Sequence, residues 1–154
     1  MRHRMKMGKD HAAGWRSSAK ADAPRPVVLI ESEDPAEAQV LWRHLELEGY
    51  DAVWCSGPEE GGPGRCLLVT AGHCPLMEEA DVVLATWPST AAHRQVLGAE
   101  HQRYPGTPVI VTASPRVPAE SQGPFDGHRV LCRHASVETV LGAVNDALGR
   151  RQAS

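Results

Sequence analysis

Asp81-Val82-Val83-Leu84-Ala85-Thr86-Trp87-Pro88 is the stretch on which the fold turns. A short apolar run without alternation is a strand buried on both faces, since a half-exposed strand would alternate apolar and polar residues. The same kind of run recurs as Val27-Val28-Leu29-Ile30, Ala52-Val53-Trp54-Cys55, Val109-Ile110-Val111-Thr112 and Arg129-Val130-Leu131-Cys132. Between these runs the period lengthens to that of a helix. Ala38, Leu41, Leu45 and Leu47 run along residues 36–48, with Ser32 or Asp34 as the cap, Pro35 in the first turn and Gly49 as the stop. Residues 89–103 form a second helix begun by Ser89 or Thr90. Residues 137–149 form a third, with Val137, Val140, Leu141, Val144 and Leu148 on one face. Strands alternating with helices predict an α/β fold, a five-stranded parallel sheet with helices on both faces. Ligands of such sheets sit at the carboxyl ends of the strands. The residues there are Glu31, Ser32, Glu33, Asp34, Thr86, Thr112, Ala113, Ser114, Arg133 and His134.

Two regions depart from the alternation. Ser56-Gly57-Pro58-Glu59-Glu60-Gly61-Gly62-Pro63-Gly64 cannot hold a helix, and it opens a Cys-, Gly- and Pro-rich insert over residues 56–79. Within it, Cys66 to Thr70 read as a short strand, Ala71 to Leu76 as a turn, and Met77 to Ala80 as one helical turn. Arg116 to Phe125 lie in a proline-broken connection.

Charge is divided along the chain. Residues 1–25 hold seven Lys/Arg and two Asp, whereas residues 26–154 hold nine Arg and seventeen Asp/Glu, net −8. The expected organisation is a disordered basic tail over 1–25 and one domain over 26–150. An acidic domain lacks the positive footprint that a phosphate backbone requires, so sequence-specific nucleic-acid binding is not expected. No helix-turn-helix is expected after residue 150. No apolar run reaches the roughly 18 residues of a membrane span, and the basic start has no apolar core of a signal peptide. The expected location is the cytoplasm, where Cys55, Cys66, Cys74 and Cys132 are free thiols, ligands or redox groups.

In serial order these segments resemble the receiver domain of bacterial response regulators, a flavodoxin-like fold. Val27 to Pro35 resemble its first strand and acidic turn. Leu45-Glu46-Leu47-Glu48-Gly49-Tyr50-Asp51-Ala52-Val53 resemble the end of its first helix and its second strand. Asp81 to Pro88 resemble the phosphoacceptor strand, Thr107 to Ala113 the fourth strand with its switch hydroxyl, and Val130 to Ser136 the fifth strand with the Lys-Pro that follows it. The insert is similar to that of actinobacterial receiver-like proteins carrying Cys-Pro-Leu repeats, a similarity that brings no activity with it.

The resemblance implies two acidic residues holding Mg²⁺, an aspartate accepting a phosphoryl group, a hydroxyl and a lysine. In this chain those positions are Ser32 and Glu33, Thr86, Thr112 and Arg133, with Asp34 beside them. Three of the functions are altered together. A threonine cannot form an acyl phosphate, and an alcohol takes a phosphoryl group only where a kinase site supplies a base. Arg133 is positioned to pair with Glu33 across the strand ends and hold the pocket closed.

The expectation is therefore a degenerate receiver pocket (Ser32, Glu33, Asp34, Thr86, Thr112, Arg133) without catalysis or cofactor, in a regulatory domain that works through protein–protein contact. The partner is another protein or a second copy of the chain as a homodimer, in a signalling or transcription-linked role. Trp42, Trp87, Arg116 and Phe125 are the interface candidates, because large side chains near the surface mark contacts. The alternative is a metal- or thiol-responsive sensor in the insert, with Cys55, Cys66, His73 and Cys74 holding zinc or Cys66 and Cys74 forming a disulfide. Against zinc stands the spacing, which has one adjacent His-Cys pair where zinc ribbons have two tight pairs. The bland reading of the cysteines is packing. A hydrolase using Cys132 and His134 lacks visible oxyanion donors and an orienting group.

Overall fold

The computed structural model describes residues 6–7, 15–16, 24–57, 66–86, 91–113, 129–132 and 134–153. Its elements in chain order are β1 (Lys6–Met7), β2 (Trp15–Arg16), β3 (Val27–Glu31), α1 (Pro35–Leu47), β4 (Asp51–Cys55), α2 (Leu67–Ala71), α3 (Pro75–Glu79), β5 (Val82–Ala85), α4 (Ala91–Arg103), β6 (Val109–Ala113), β7 (Arg129–Cys132) and α5 (Val137–Ala153). The sheet order is β1-β2-β4-β3-β5-β6-β7. Strands β4, β3, β5, β6 and β7 are all parallel, as the alternation predicts. The stretch expected to be a tail contributes β1 and β2, which add antiparallel to the β4 edge, with Arg16 opposite Val53. Arg25, also in that stretch, closes the end of α1: its Nε donates to Gly49 O at 2.8 Å and its Nη2 to Glu46 O at 2.9 Å.

Each strand sends alternate residues to opposite faces, and this divides the interior into two cores. Val28, Ile30, Trp54, Val82, Leu84 and Ile110 pack against Ala38, Leu41 and Leu45 of α1 and Val140, Ala143, Val144 and Leu148 of α5. Leu29, Val53, Val83, Ala85, Val109 and Val111 pack against Leu68, Met77, Ala80 and Leu97 on the other face. On α1 the stripe ends at Leu45. Leu47 was expected to continue it but is 83% exposed, as it lies two residues further round the helix.

The ends of α1 follow its sequence. Asp34 Oδ1 accepts from Ala36 N at 2.9 Å, Pro35 occupies the first turn, and Gly49 takes φ 93° just past the last turn. The crossover from β4 to β5 corrects one expectation. Leu67 to Thr70 are helical, in α2, not a strand. A five-residue apolar run does not distinguish the two by itself. Here Leu68 reaches the core while Leu67 and Thr70 face solvent, a helical pattern. Gly72 ends α2 at φ 76°, donating its N–H to Leu68 O. Cys74 then leads into α3, whose first residue is Pro75, and Tyr104 Oη accepts from Cys74 N at 3.1 Å.

Candidate functional site

The carboxyl ends of β3 and β5 and the first turn of α1 meet in a polar pocket. Ser32 is fully buried. Its hydroxyl donates to Glu37 Oε2 at 2.9 Å and accepts from Asp34 N at 3.2 Å. Thr86 Oγ1 stands 3.0 Å from the same Glu37 Oε2 and 3.1 Å from Glu31 O. Thr86 N also donates to Glu31 O, at 2.8 Å. One carboxylate from α1 is therefore held between two hydroxyls at the strand ends. Charge-assisted hydrogen bonds of this kind are the stronger ones. Beneath them, Trp54 Nε1 donates to Ser32 O at 2.9 Å, fixing the turn from the first core. On the far side, His93 of α4, itself buried, bonds Glu33 Oε1 through Nε2 at 2.8 Å.

Of the residues expected here, Ser32, Glu33 and Thr86 take part in this network. Asp34 does not join it through its side chain, which caps α1 instead. Thr112 is buried at the end of β6, and its Oγ1 has no partner among the described residues. Arg133 lies outside the described residues, and the partner found for Glu33 is His93. The donor set does not fit Mg²⁺, which asks for near-octahedral oxygen ligands from free carboxylates and water. One acidic position is a serine, Glu33 is engaged by His93, and Glu37 is engaged by Ser32 and Thr86.

Glu37 and His93 were not foreseen. Glu37 reads as an ordinary acidic first-turn residue, favoured there by the helix dipole, and only the fold shows that it turns inward. His93 had a signal: His93, Val96, Leu97 and Glu100 recur at helical spacing and are all buried. Polar residues on a buried stripe mark a functional or paired position.

The insert brings its thiols inward. Cys55, Cys66 and Cys74 are free and pack against the second core. His73, expected in the zinc set with Cys55, Cys66 and Cys74, is exposed. Among the described residues no group of three or more His, Cys, Asp and Glu side chains is placed to hold a metal ion. Burial pushes the Cys55 thiol up to about 12 and raises that of Cys74. Both are therefore protonated and poor nucleophiles near neutrality. Next to them, Glu31 and Glu100 are buried together. Burial and the neighbouring carboxyl raise Glu31 well above the ordinary range, and burial raises Glu100 to about 7.

Of the interface candidates, Trp42 packs partly buried against the first core, and its Nε1 is buried without a partner among the described residues. Trp87, Arg116 and Phe125 lie outside the described residues. Val40, Leu47 and Val130 are exposed apolar residues that the sequence reading did not single out for the surface.

Solved structures similar to this chain include receiver domains. The signal receiver domain of an HD domain-containing protein from Pseudomonas fluorescens Pf-5 superposes with a TM-score of 0.63 at 19% identity, covering 85% of this chain and 100% of that one. A CheY-like response regulator receiver domain from Methanospirillum hungatei JF-1 gives 0.65 at 15% identity, over 84% and 98%. A receiver domain from Clostridium thermocellum gives 0.62 at 15%, over 83% and 98%. No protein-family model matches the chain, and no curated protein does. At these identities the likeness is one of fold: the chain has the receiver-domain fold. Among the described residues no helix is long and apolar enough to cross a membrane.

Proposed function

We propose that this receiver-like domain regulates by protein–protein contact in the cytoplasm, without phosphoryl transfer and without catalysis of its own. The carrying observation is the Glu37 carboxylate held by Ser32 and Thr86 at the strand ends. In this reading the Glu37 carboxyl occupies the point on which an incoming phosphoryl group and its metal would otherwise converge. A phosphoryl donor meets no carboxylate nucleophile at Thr86 and is repelled by Glu37. The pocket is thus held in one arrangement by the chain's own side chains, and the surface it supports is constant. The partner is a protein, a second copy of this chain included, in a signalling or transcription-linked role. Trp87, Arg116 and Phe125 remain the proposed contact residues, with Trp42 as a partly buried support.

Incubation of the full chain with acetyl phosphate and Mg²⁺, followed by intact mass measurement, tests the phosphorylation-independent part. The expected result is unmodified protein. A mass increase of one phosphoryl group, lost on mild alkaline or hydroxylamine treatment, reveals an acyl phosphate and overturns it.

A further inference from the structure

Glu31 ends β3 and Glu100 lies on the buried stripe of α4, and both are almost wholly shielded from solvent. Ionised carboxylates only accept hydrogen bonds. With both ionised, Glu31 Oε2 and both Glu100 oxygens have no donor among the described residues. Two such charges side by side, each without a donor, cannot persist in an apolar interior. A proton on Glu31 resolves the conflict, because it lets Glu31 donate to Glu100, and the two side chains do stand within hydrogen-bonding reach of each other.

Among the described residues, no counter-charge acts on either carboxyl. Besides Glu100, the titratable groups acting on Glu31 are the thiols of Cys55, at the end of β4, and Cys74, at the start of α3. Cys66, ahead of α2, acts on both of those thiols. Tyr104, one turn beyond Glu100, is engaged with Cys74 N. The strands β5 and β6 present only apolar residues here, Val83, Ala85, Val109 and Val111.

We propose that the buried, facing carboxyls of Glu31 and Glu100 form a proton-operated latch between the end of β3 and α4. The latch has a route to the pocket. Glu31 O accepts from Thr86 N and stands 3.1 Å from Thr86 Oγ1. Two turns before Glu100, the same helix carries His93, the partner of Glu33. A charge appearing on Glu100 weakens the seating of α4, and with it the His93–Glu33 bond. The proton thereby acts as an input to a pocket that phosphoryl transfer does not reach. This latch goes beyond the regulatory reading above and is tested separately from it.

The test is thermal unfolding of the full chain from pH 5 to pH 9, for wild type, Glu100→Gln and Glu31→Gln, together with carboxyl-carbon NMR titration of wild type labelled in glutamate. In wild type the melting temperature is expected to fall as pH rises, with a step centred near 7, where Glu100 titrates. Glu100→Gln keeps a neutral acceptor for Glu31 and should lose that step, melting about 5 °C or more above wild type at pH 8.5. In the NMR titration one glutamate should titrate near neutrality and another should remain protonated beyond it, a readout that does not depend on either variant folding. Wild type and both glutamine variants showing the same pH slope would overturn the latch. So would all glutamate carboxyls titrating in the ordinary range.

Discussion

Residues 31 and 32 are neighbours on one strand, yet they enter two opposite kinds of polar interior. Ser32 turns toward the pocket, where hydroxyl meets carboxylate and the polar atoms of Ser32, Thr86 and Glu37 are partnered. Glu31 turns toward the second core, where an acid meets an acid and oxygens are left without donors. The strand's alternation puts them on opposite faces. A buried polar group with its complement locks a structure, while a buried polar group facing its like makes the structure answer to protons.

The contrast is sharpest in the pH dependence of stability. The folded-state pKa of Glu100 is raised from 4.5 to about 7. The folded chain therefore binds more protons than the unfolded chain between those values. The associated stability is fully present below about 4.5 and lost as pH rises through about 7. A shift of that size corresponds to at most about 3 kcal/mol. Urea unfolding at pH 5 and pH 8.5 should show the loss, and Glu100→Gln should abolish most of it. A flat profile would make the two regions alike.

Breaking the pocket should cost somewhat less. Glu37→Ala leaves the Ser32 and Thr86 hydroxyls without their shared acceptor, an expected loss of about 2 kcal/mol in urea unfolding. Glu37→Gln, which still accepts, should lose less. The smallest effect is expected outside both regions. Asp34→Ala removes one capping hydrogen bond from α1, about 1 kcal/mol. It should leave both the pH step and the response to phosphodonor unchanged. An Asp34→Ala variant that alters either one would place this residue inside the pocket after all.

What the sequence discloses here follows from how local each signal is. Five parallel strands are legible because each is a continuous apolar run, and the helix ends because Asp34, Pro35 and Gly49 act within a turn of their own positions. Thr86 is legible as a non-acid because a strand end is located by its own run. The insert was half legible: Met77 to Ala80 read as a helical turn, which in the fold begins two residues earlier, at Pro75, but Leu67 to Ala71 carry equal signals for strand and helix until the core chooses. Glu37 was not legible, since its inward turn depends on Ser32 and Thr86, which lie on two different strands. The Glu31–Glu100 pair required the register of β3 against α4, although Glu100 on a stripe with Val96 and Leu97 was a visible irregularity.

The central claim is that Glu37 fills the place of the missing chemistry. An amide NMR titration of the full chain with Mg²⁺ and then beryllofluoride, an analogue of a bound phosphoryl group, tests it most directly. The amides of Ser32, Glu33 and Thr86 are expected to stay where they are at every concentration. Saturable shifts at Ser32 and Thr86 would mean that Glu37 gives way to a metal and a phosphoryl-like ligand, and would contradict the account.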